Sequence, residues 1–387
     1  MTDGKTIGGG SPRAVSAARV SPRPELGGLR AYAVQWDAPV RLNQNESPLD
    51  WPADLKAEVV RRVARAGWNR YPAAQAEILR QALAGAYGLA PEMVALTNGS
   101  DEAILALVEA FAGGRTVVLP VPTYSMAEPL AIAGGARVVP VPLRPDFSLD
   151  AAAVIRASRE VDAGLILLVS PNNPTGNAFA PREVETVVRE AACLVAVDEA
   201  YADFAAGSWL PQVPDCAELA VVRTFSKAFA FAGGRVGWIA AAPEVVAAVR
   251  AVLPPYNLNI FAQEAAMVAL EHRSFFQAQA AALAAERERL RAAMAALERV
   301  TVFPSQTNFL LFSAAGFPSR ILFDRLLARG VLVRDVSSAP LLADCLRVTV
   351  GTADENARFL EALRQSLTEG LPIGATEGPP IGAEERQ

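Results

Sequence analysis

Between residues 94 and 241 the chain repeats one pattern: a short, mostly apolar run, a turn, then a helical pattern. The runs are residues 94–97, 116–120, 137–141, 164–169, 193–197, 221–225 and 236–241. Helices are expected after the first run, to about Phe111, and then over 123–132, over 149–158 and from Pro181 onward. In the turn Asn98-Gly-Ser-Asp-Glu102, Ser100 is the expected N-cap, with two acids in the first helical turn. Strands that are apolar on both sides must be covered on both faces, and intervening helices supply the cover. The pattern therefore restricts the chain to an α/β fold: a mainly parallel sheet sandwiched by helices, forming a large domain.

The flanks read differently. Residues 1–27 are rich in Gly, Ser, Pro and Arg without hydrophobic periodicity, and are expected to be a disordered arm with no secretory apolar core. Residues 371–387 repeat Pro-Ile-Gly-Ala and are expected to be a disordered tail. After Pro254-Pro255 comes an Ala-rich helical stretch, 261 to about 297, too long for one compact helix. Short strands follow at 300–303, 309–312, 332–333 and 346–350, alternating with helices at 319–329 and 354–367. The expected division is 28–66 as the N-terminal part of a small α+β domain, 67–260 as the large domain, and 261–370 as the long helix and the rest of the small domain. A helix expected at 52–66 would pack onto it.

Composition removes several function classes. With 387 residues and 52% apolar content the chain has room for two domains and a large core. A net charge of −5 without a basic block gives no reason to propose nucleic acid or an anionic membrane as partner. Three scattered cysteines (Cys193, Cys216 and Cys345) argue against a disulfide framework and a zinc site, and for a reducing cytoplasm. The single histidine, His272, weakens any Ser-His-Asp proposal. No apolar run is long enough to span a membrane.

In open α/β sheets, ligands bind at the carboxyl ends of strands. Four such ends carry unusual polar sets: Asn98-Gly-Ser-Asp-Glu102, Ser170-Pro-Asn-Asn-Pro-Thr-Gly176, Asp198-Glu-Ala-Tyr201 and Ser226-Lys227. Each alone is an ordinary turn, cap or surface lysine. Together they fit pyridoxal phosphate. A lysine amine forms a Schiff base with its aldehyde, and Lys227 is available for that. A carboxylate favours the protonated pyridine nitrogen, and Asp198 suits. A phenol and an amide, Tyr201 and Asn173, suit the ring oxygen. A helix N-terminus with hydroxyls and a cation suits the phosphate: Gly99, Ser100 and Asp101 with Thr224, Ser226 and Arg235. Tyr124 is placed to stack on the ring.

These segments, with Leu42-Asn-Gln-Asn-Glu-Ser-Pro48, Arg70-Tyr-Pro72, Pro122-Thr-Tyr124, Ala232-Gly-Gly-Arg-Val-Gly237, Pro255-Tyr-Asn257 and Leu346-Arg-Val-Thr-Val-Gly351, resemble fold-type-I pyridoxal-phosphate-dependent aminotransferases, and among them the histidinol-phosphate aminotransferase family. The likeness runs in the family's order over about residues 28–367. It implies Lys227, Asp198 and Tyr201 as catalytic residues. It implies a homodimer in which Tyr71 reaches the phosphate of the partner subunit's cofactor. It implies Arg347, Arg334, Asn45 and Tyr32 on the substrate side, with Arg347 taking the donor's carboxylate or the phosphate of histidinol phosphate. The chain departs from the family at Gly234, where Leu is usual, at Tyr32-Ala-Val-Gln35, where Tyr-x-Pro-Gly is usual, and at Trp238, where Tyr is common. Three activities stay open on the substrate side: amino transfer between glutamate and imidazole-acetol phosphate, aromatic amino acid transamination, and decarboxylation of threonine phosphate. A non-catalytic cofactor-binding regulator lacks a DNA-binding module here. A dinucleotide-binding protein lacks the Gly-x-Gly-x-x-Gly turn.

Overall fold

The computed structural model describes residues 21–31 and 36–369. Tyr32, the tail at 371–387 and most of the expected arm lie outside them. The chain separates into a short N-terminal unit ending at Ala33 and a main unit beginning at Val34. Of the first, a 3-10 turn at Pro24–Gly28 is described, within and just beyond the stretch expected to lack order.

The main unit opens with β1 (Val40–Arg41), α1 (Ala53–Arg65) and α2 (Glu77–Tyr87). The repeating region then gives β2 (Val94–Thr97), α3 (Gly99–Phe111), β3 (Thr116–Val121), α4 (Ala127–Ala133), β4 (Arg137–Pro142), α5 (Ala151–Glu160), β5 (Leu165–Val169), α6 (Pro181–Glu190), β6 (Leu194–Asp198), β7 (Leu219–Thr224) and β8 (Gly237–Ala241). These strands form one seven-stranded sheet in the order β2-β8-β7-β6-β5-β3-β4. β8 runs antiparallel to both β2 and β7, and every other pair is parallel. β5, β6 and β7 are buried at every position, because helices cover both faces. α6 shows how the cover is encoded. Pro181 starts the helix, and Val184, Val187 and Val188 recur at the 3–4 spacing of one face and are buried. Each such valine stabilises by roughly 1.5 kcal/mol.

Close packing in this sheet leaves one glycine no substitute. A Cβ on Gly164, at the entry to β5, would sit 2.1 Å from the Phe111 carbonyl oxygen and 2.9 Å from Ala112 Cα. Both are backbone atoms and cannot rotate away. Gly164→Ala is expected to destabilise the fold by about 1–3 kcal/mol, the usual range for overpacking. The check is a lowered urea midpoint with an unchanged slope.

Past the sheet come α7 (Pro243–Val252), α8 (Ile260–Glu271) and α9 (Arg273–Ala295). The long helical stretch is thus two helices, broken at His272, which serves as C-cap of the first and N-cap of the second. The remainder is β9 (Val300–Val302), β10 (Phe309–Ala314), α10 (Ser319–Ala328), β11 (Val331–Leu332), β12 (Arg334–Asp335), β13 (Cys345–Thr349) and α11 (Ala353–Thr368). β12-β13-β10-β9 form a four-stranded antiparallel sheet, and β1 pairs in parallel with β11. The strand expected at 332–333 is therefore two short strands serving different sheets. Val40 and Leu42 join Phe312, Leu346, Val348 and Phe359 in a separate core under α10 and α11. α1 lies against α8, held by the Arg62–Glu271 ion pair at 2.6 Å. Its Leu55 and Val59 join the core of the large sheet.

Candidate active site

Register places the polar clusters at one edge of the large sheet. Thr97 and Thr224, the last residues of β2 and β7, both pair with Gly237, the first residue of the reversed β8. Asp198, the last residue of β6, lies opposite Val222 and Val169. The parallel strands all end where β8 begins, so the loops beginning at Asn98, Ser170, Glu199 and Phe225 emerge side by side.

The β2–α3 turn differs from its expectation. The helix begins at Gly99 with Asn98 in the cap position, so Ser100 is inside the first turn and not the N-cap. Glu102 reaches back and accepts from the Asn98 backbone N–H at 2.6 Å. Asn257 donates to the same carboxylate at 2.9 Å. The acid thus satisfies the residue before the helix and leaves the first N–H groups of the helix uncapped. The N-terminal N–H groups of α3, at Gly99, Ser100 and Asp101, lack partners within the helix, as at any helix start. Two glycines keep this end open. Gly99 has φ of 77°, and a Cβ there would lie 2.5 Å from Arg235 Nη2. A Cβ on Gly237 would lie 2.4 Å from the Gly99 carbonyl carbon and 2.8 Å from Ser100 N. Arg235, itself at φ 52°, donates to Asp101 at 3.2 Å and to Ser226 Oγ at 3.3 Å. Thr224 Oγ1 donates to Ser226 Oγ at 3.0 Å. Tyr124, expected at the ring face, donates its hydroxyl to Asp101 at 2.9 Å.

Asp198 is 3% exposed and accepts from the Ala200 N–H at 3.0 Å. Burial pushes its carboxyl up to about 7. Lys227 follows β7, its ammonium enclosed and donating to the Gln44 carbonyl at 3.1 Å. Desolvation, then the charge of Arg347, pushes the amine down to about 8. A carboxyl and an amine displaced toward each other within one polar pocket mark a site built for proton transfer. Tyr201 is buried, with its ring edge-on to Phe309 at 5.3 Å.

Three consecutive residues of the N-terminal segment strap across these groups. The Asn43 carbonyl accepts from Arg347 Nη2 at 2.6 Å, that of Gln44 accepts from Lys227, and Asn45 Nδ2 donates to Tyr201 OH at 2.9 Å. Asn45, expected at the substrate, is thus bonded to Tyr201. Asn173, expected at the ring oxygen, accepts at its Oδ1 from Arg347 Nη1 at 2.5 Å. Arg334 lies directly opposite Arg347 on the neighbouring strand, so both side chains leave the same face of the small sheet. Tyr71 stands apart from this cluster. It is 80% exposed and stacked on Tyr256 with ring centroids 4.6 Å apart.

Sequence reading missed the Asn98–Glu102–Asn257 clip and a buried ion-pair unit behind Asp198. In that unit Arg223 bridges Glu199 at 2.9 Å and Asp203 at 2.8 Å. Their signal was present as charged residues beside strand ends. The strap's carbonyls carry no side-chain signal at all.

The donor set fits pyridoxal phosphate: a buried carboxylate for the ring nitrogen, an enclosed amine for the aldehyde, and a glycine-lined helix start with hydroxyls and an arginine for the phosphate. The family model for aminotransferase class I and II matches residues 38–363. The chain belongs to that family. This aminotransferase is 45% identical over 340 residues to histidinol-phosphate aminotransferase 2 of Cupriavidus pinatubonensis, covering 85% of this chain and 92% of that protein. It is 42% identical over 375 residues to the histidinol-phosphate aminotransferase of Methylibium petroleiphilum, covering 95% and 100%. Its fold matches the crystal structure of histidinol-phosphate aminotransferase from Sinorhizobium meliloti in complex with pyridoxal-5'-phosphate. There the TM-score is 0.82 at 24% identity, covering 91% of this chain and 98% of that one. The aminotransferase depends on pyridoxal 5'-phosphate, as its family does, and acts on a small amino donor and a keto acceptor. Among its described residues no helix is long and apolar enough to cross a membrane, and no group of His, Cys, Asp and Glu could hold a metal.

Proposed function

We propose that this aminotransferase moves the amino group between glutamate/2-oxoglutarate and histidinol phosphate/imidazole-acetol phosphate, in the cytoplasm. The observation that carries the substrate choice is the cross-strand pair Arg334 and Arg347. Two guanidinium groups on one face suit a phosphate monoester, and Arg347 alone suits a donor carboxylate. The two relatives above, both named histidinol-phosphate aminotransferases, support the same choice.

When bound, pyridoxal 5'-phosphate supplies the electron sink for charge developing on the carbon that bears the amine. Lys227 would anchor it covalently, and its free amine would be the base for the proton on that carbon. Its lowered pKa favours the neutral amine that this step needs. Asp198 holds the proton on the pyridine nitrogen, since a desolvated carboxylate gains most from a cationic partner. Tyr201 donates to the ring oxygen. Asn173 joins it through its NH2 group, its Oδ1 being taken by Arg347. The N–H groups of Gly99, Ser100 and Asp101, the Thr224 and Ser226 hydroxyls and Arg235 bind the phosphate, and Tyr124 packs against the ring.

The test is a single half-reaction followed by the visible absorption of the bound cofactor. Histidinol phosphate is expected to bleach that band rapidly, while phenylalanine and threonine phosphate leave it. Bleaching by phenylalanine alone would move the enzyme to aromatic transamination, and CO₂ release from threonine phosphate would make it a lyase.

We also propose a homodimer with shared sites, a reading that the exposed aromatic face supports. Tyr71, Trp68, Tyr256 and Phe261 line an open cavity of about 520 Å³. An exposed aromatic surface of this kind suits an interface, and the proposed occupant is a second copy. Tyr71→Ala and Lys227→Ala chains are each expected to be nearly inactive. Mixed and refolded together they should recover about a quarter of wild-type activity, because half the dimers are mixed and one of their two sites is intact. No recovery from confirmed mixed dimers would mean that each site takes both residues from one chain, and would overturn the shared site.

A further inference from the structure

Asn45 uses every polar group it has. Its backbone N–H donates to Thr349 Oγ1 at 2.9 Å, and its carbonyl accepts from Asn308 Nδ2 at 3.0 Å. Its side-chain Oδ1 accepts from the Thr349 hydroxyl at 3.2 Å, and its Nδ2 donates to the Tyr201 phenol oxygen at 2.9 Å. The residue is 1% exposed and held at φ 55°, a left-handed conformation that asparagine tolerates better than most. These bonds define an order. Because the Thr349 oxygen accepts the Asn45 N–H, its own proton is directed to Oδ1. That fixes the amide with Nδ2 toward Tyr201. Because the phenol oxygen accepts from Nδ2, its proton is directed away from Asn45.

We propose that Asn45 is a positioning residue that sets the direction of the Tyr201 phenol proton, keeping Tyr201 a hydrogen-bond donor to the cofactor and not to the protein. The inference rests on the reading above in which Tyr201 meets the ring oxygen. It assigns Asn45 to Tyr201 and not to the substrate. Buried asparagines with all groups satisfied are orienting elements, since any other orientation leaves an unpaired donor or acceptor. The charges around the phenol are Lys227 at 6.0 Å from the ring, Arg347, Asp198 and Asp101, and none of them is bonded to the Asn45 side chain.

The experiment is a pH titration of the visible absorption of the cofactor-loaded enzyme. A donor to the ring oxygen disfavours the extra proton which that oxygen shares, so loss of the donor raises the titration midpoint. Tyr201→Phe is expected to raise it by roughly half to one pH unit, the size of one hydrogen bond. Asn45→Gly removes the amide while suiting the left-handed backbone. Asn45→Asp keeps the shape and the Thr349 bonds but turns an acceptor to the phenol and captures its proton. Both are expected to raise the midpoint about as far as Tyr201→Phe. The Asn45→Gly/Tyr201→Phe pair is expected to add nothing further. Far-UV circular dichroism and retained cofactor binding confirm that each variant is folded. If Tyr201→Phe raises the midpoint and the Asn45 variants do not, the inference is overturned. The same holds if the Asn45 variants raise only the KM for histidinol phosphate, which marks a substrate contact, or if the double variant is additive. A midpoint unmoved by Tyr201→Phe overturns the ring-oxygen reading itself, and this inference with it.

Discussion

Lys227→Ala is expected to lower amino transfer by at least about 10⁴-fold, because a positioned acid–base group alone contributes up to that much and the covalent anchor goes with it. The measurement is single-turnover kinetics with excess cofactor. Activity near wild type would sink the mechanism. The fold should survive. In the cofactor-free protein desolvation pushes the Lys227 amine down to about 8, below its unfolded value, so the unfolded chain binds more protons between about 8 and 10.5. Stability therefore rises with pH across that window. The alanine variant should lose this rise and be no less stable than wild type at pH 7. Urea midpoints at pH 7 and pH 10 read both outcomes.

Asp198→Asn is expected to slow the reaction by several orders of magnitude while stabilising the cofactor-free protein. The first effect follows from losing the carboxylate that keeps the pyridine nitrogen protonated. The second follows from the carboxyl's own titration. Its folded pKa of about 7 lies above the ordinary 3.8, so the folded chain binds the extra proton between those values. Stability falls as pH rises through that window, by on the order of 4 kcal/mol at about 1.4 kcal/mol per unit. An amide of the same shape has no charge to desolvate, so the variant should melt higher at pH 8 without cofactor. A mild kinetic effect would mean that another acid serves the ring nitrogen. Activity and stability moving in opposite directions is the mark of a group kept for chemistry.

Much of the fold was legible because buried strands and cover helices leave strong apolar patterns. The apolar runs at 164–169 and 193–197 became β5 and β6 with their ends within one residue. Direction was not legible. An apolar run such as 236–241 reads the same forward or reversed, and β8 is the antiparallel strand. The α4 helix begins at Ala127, four residues after the expected start. Thr123 and Tyr124 spend their hydroxyls on Asn172 and Asp101, a tertiary choice that local propensity cannot foresee. The site clusters were legible because each sits at a strand end. The contact of Asn45 with Tyr201 was not, since 156 residues separate them and nothing local links the two.

The sheet order also carries a consequence for how the protein is made. The glycine-lined helix start at Gly99 is complete only when β8, with Gly237, has threaded between β2 and β7. Until then the chain leaving a ribosome has no place to hold a phosphate. The strap at 43–45 waits longer still, because its anchor β1 pairs with β11 near the other end of the chain. Closure of so long a loop is slow and comes late. A segment made early is therefore expected to dock late, after β11 has been made.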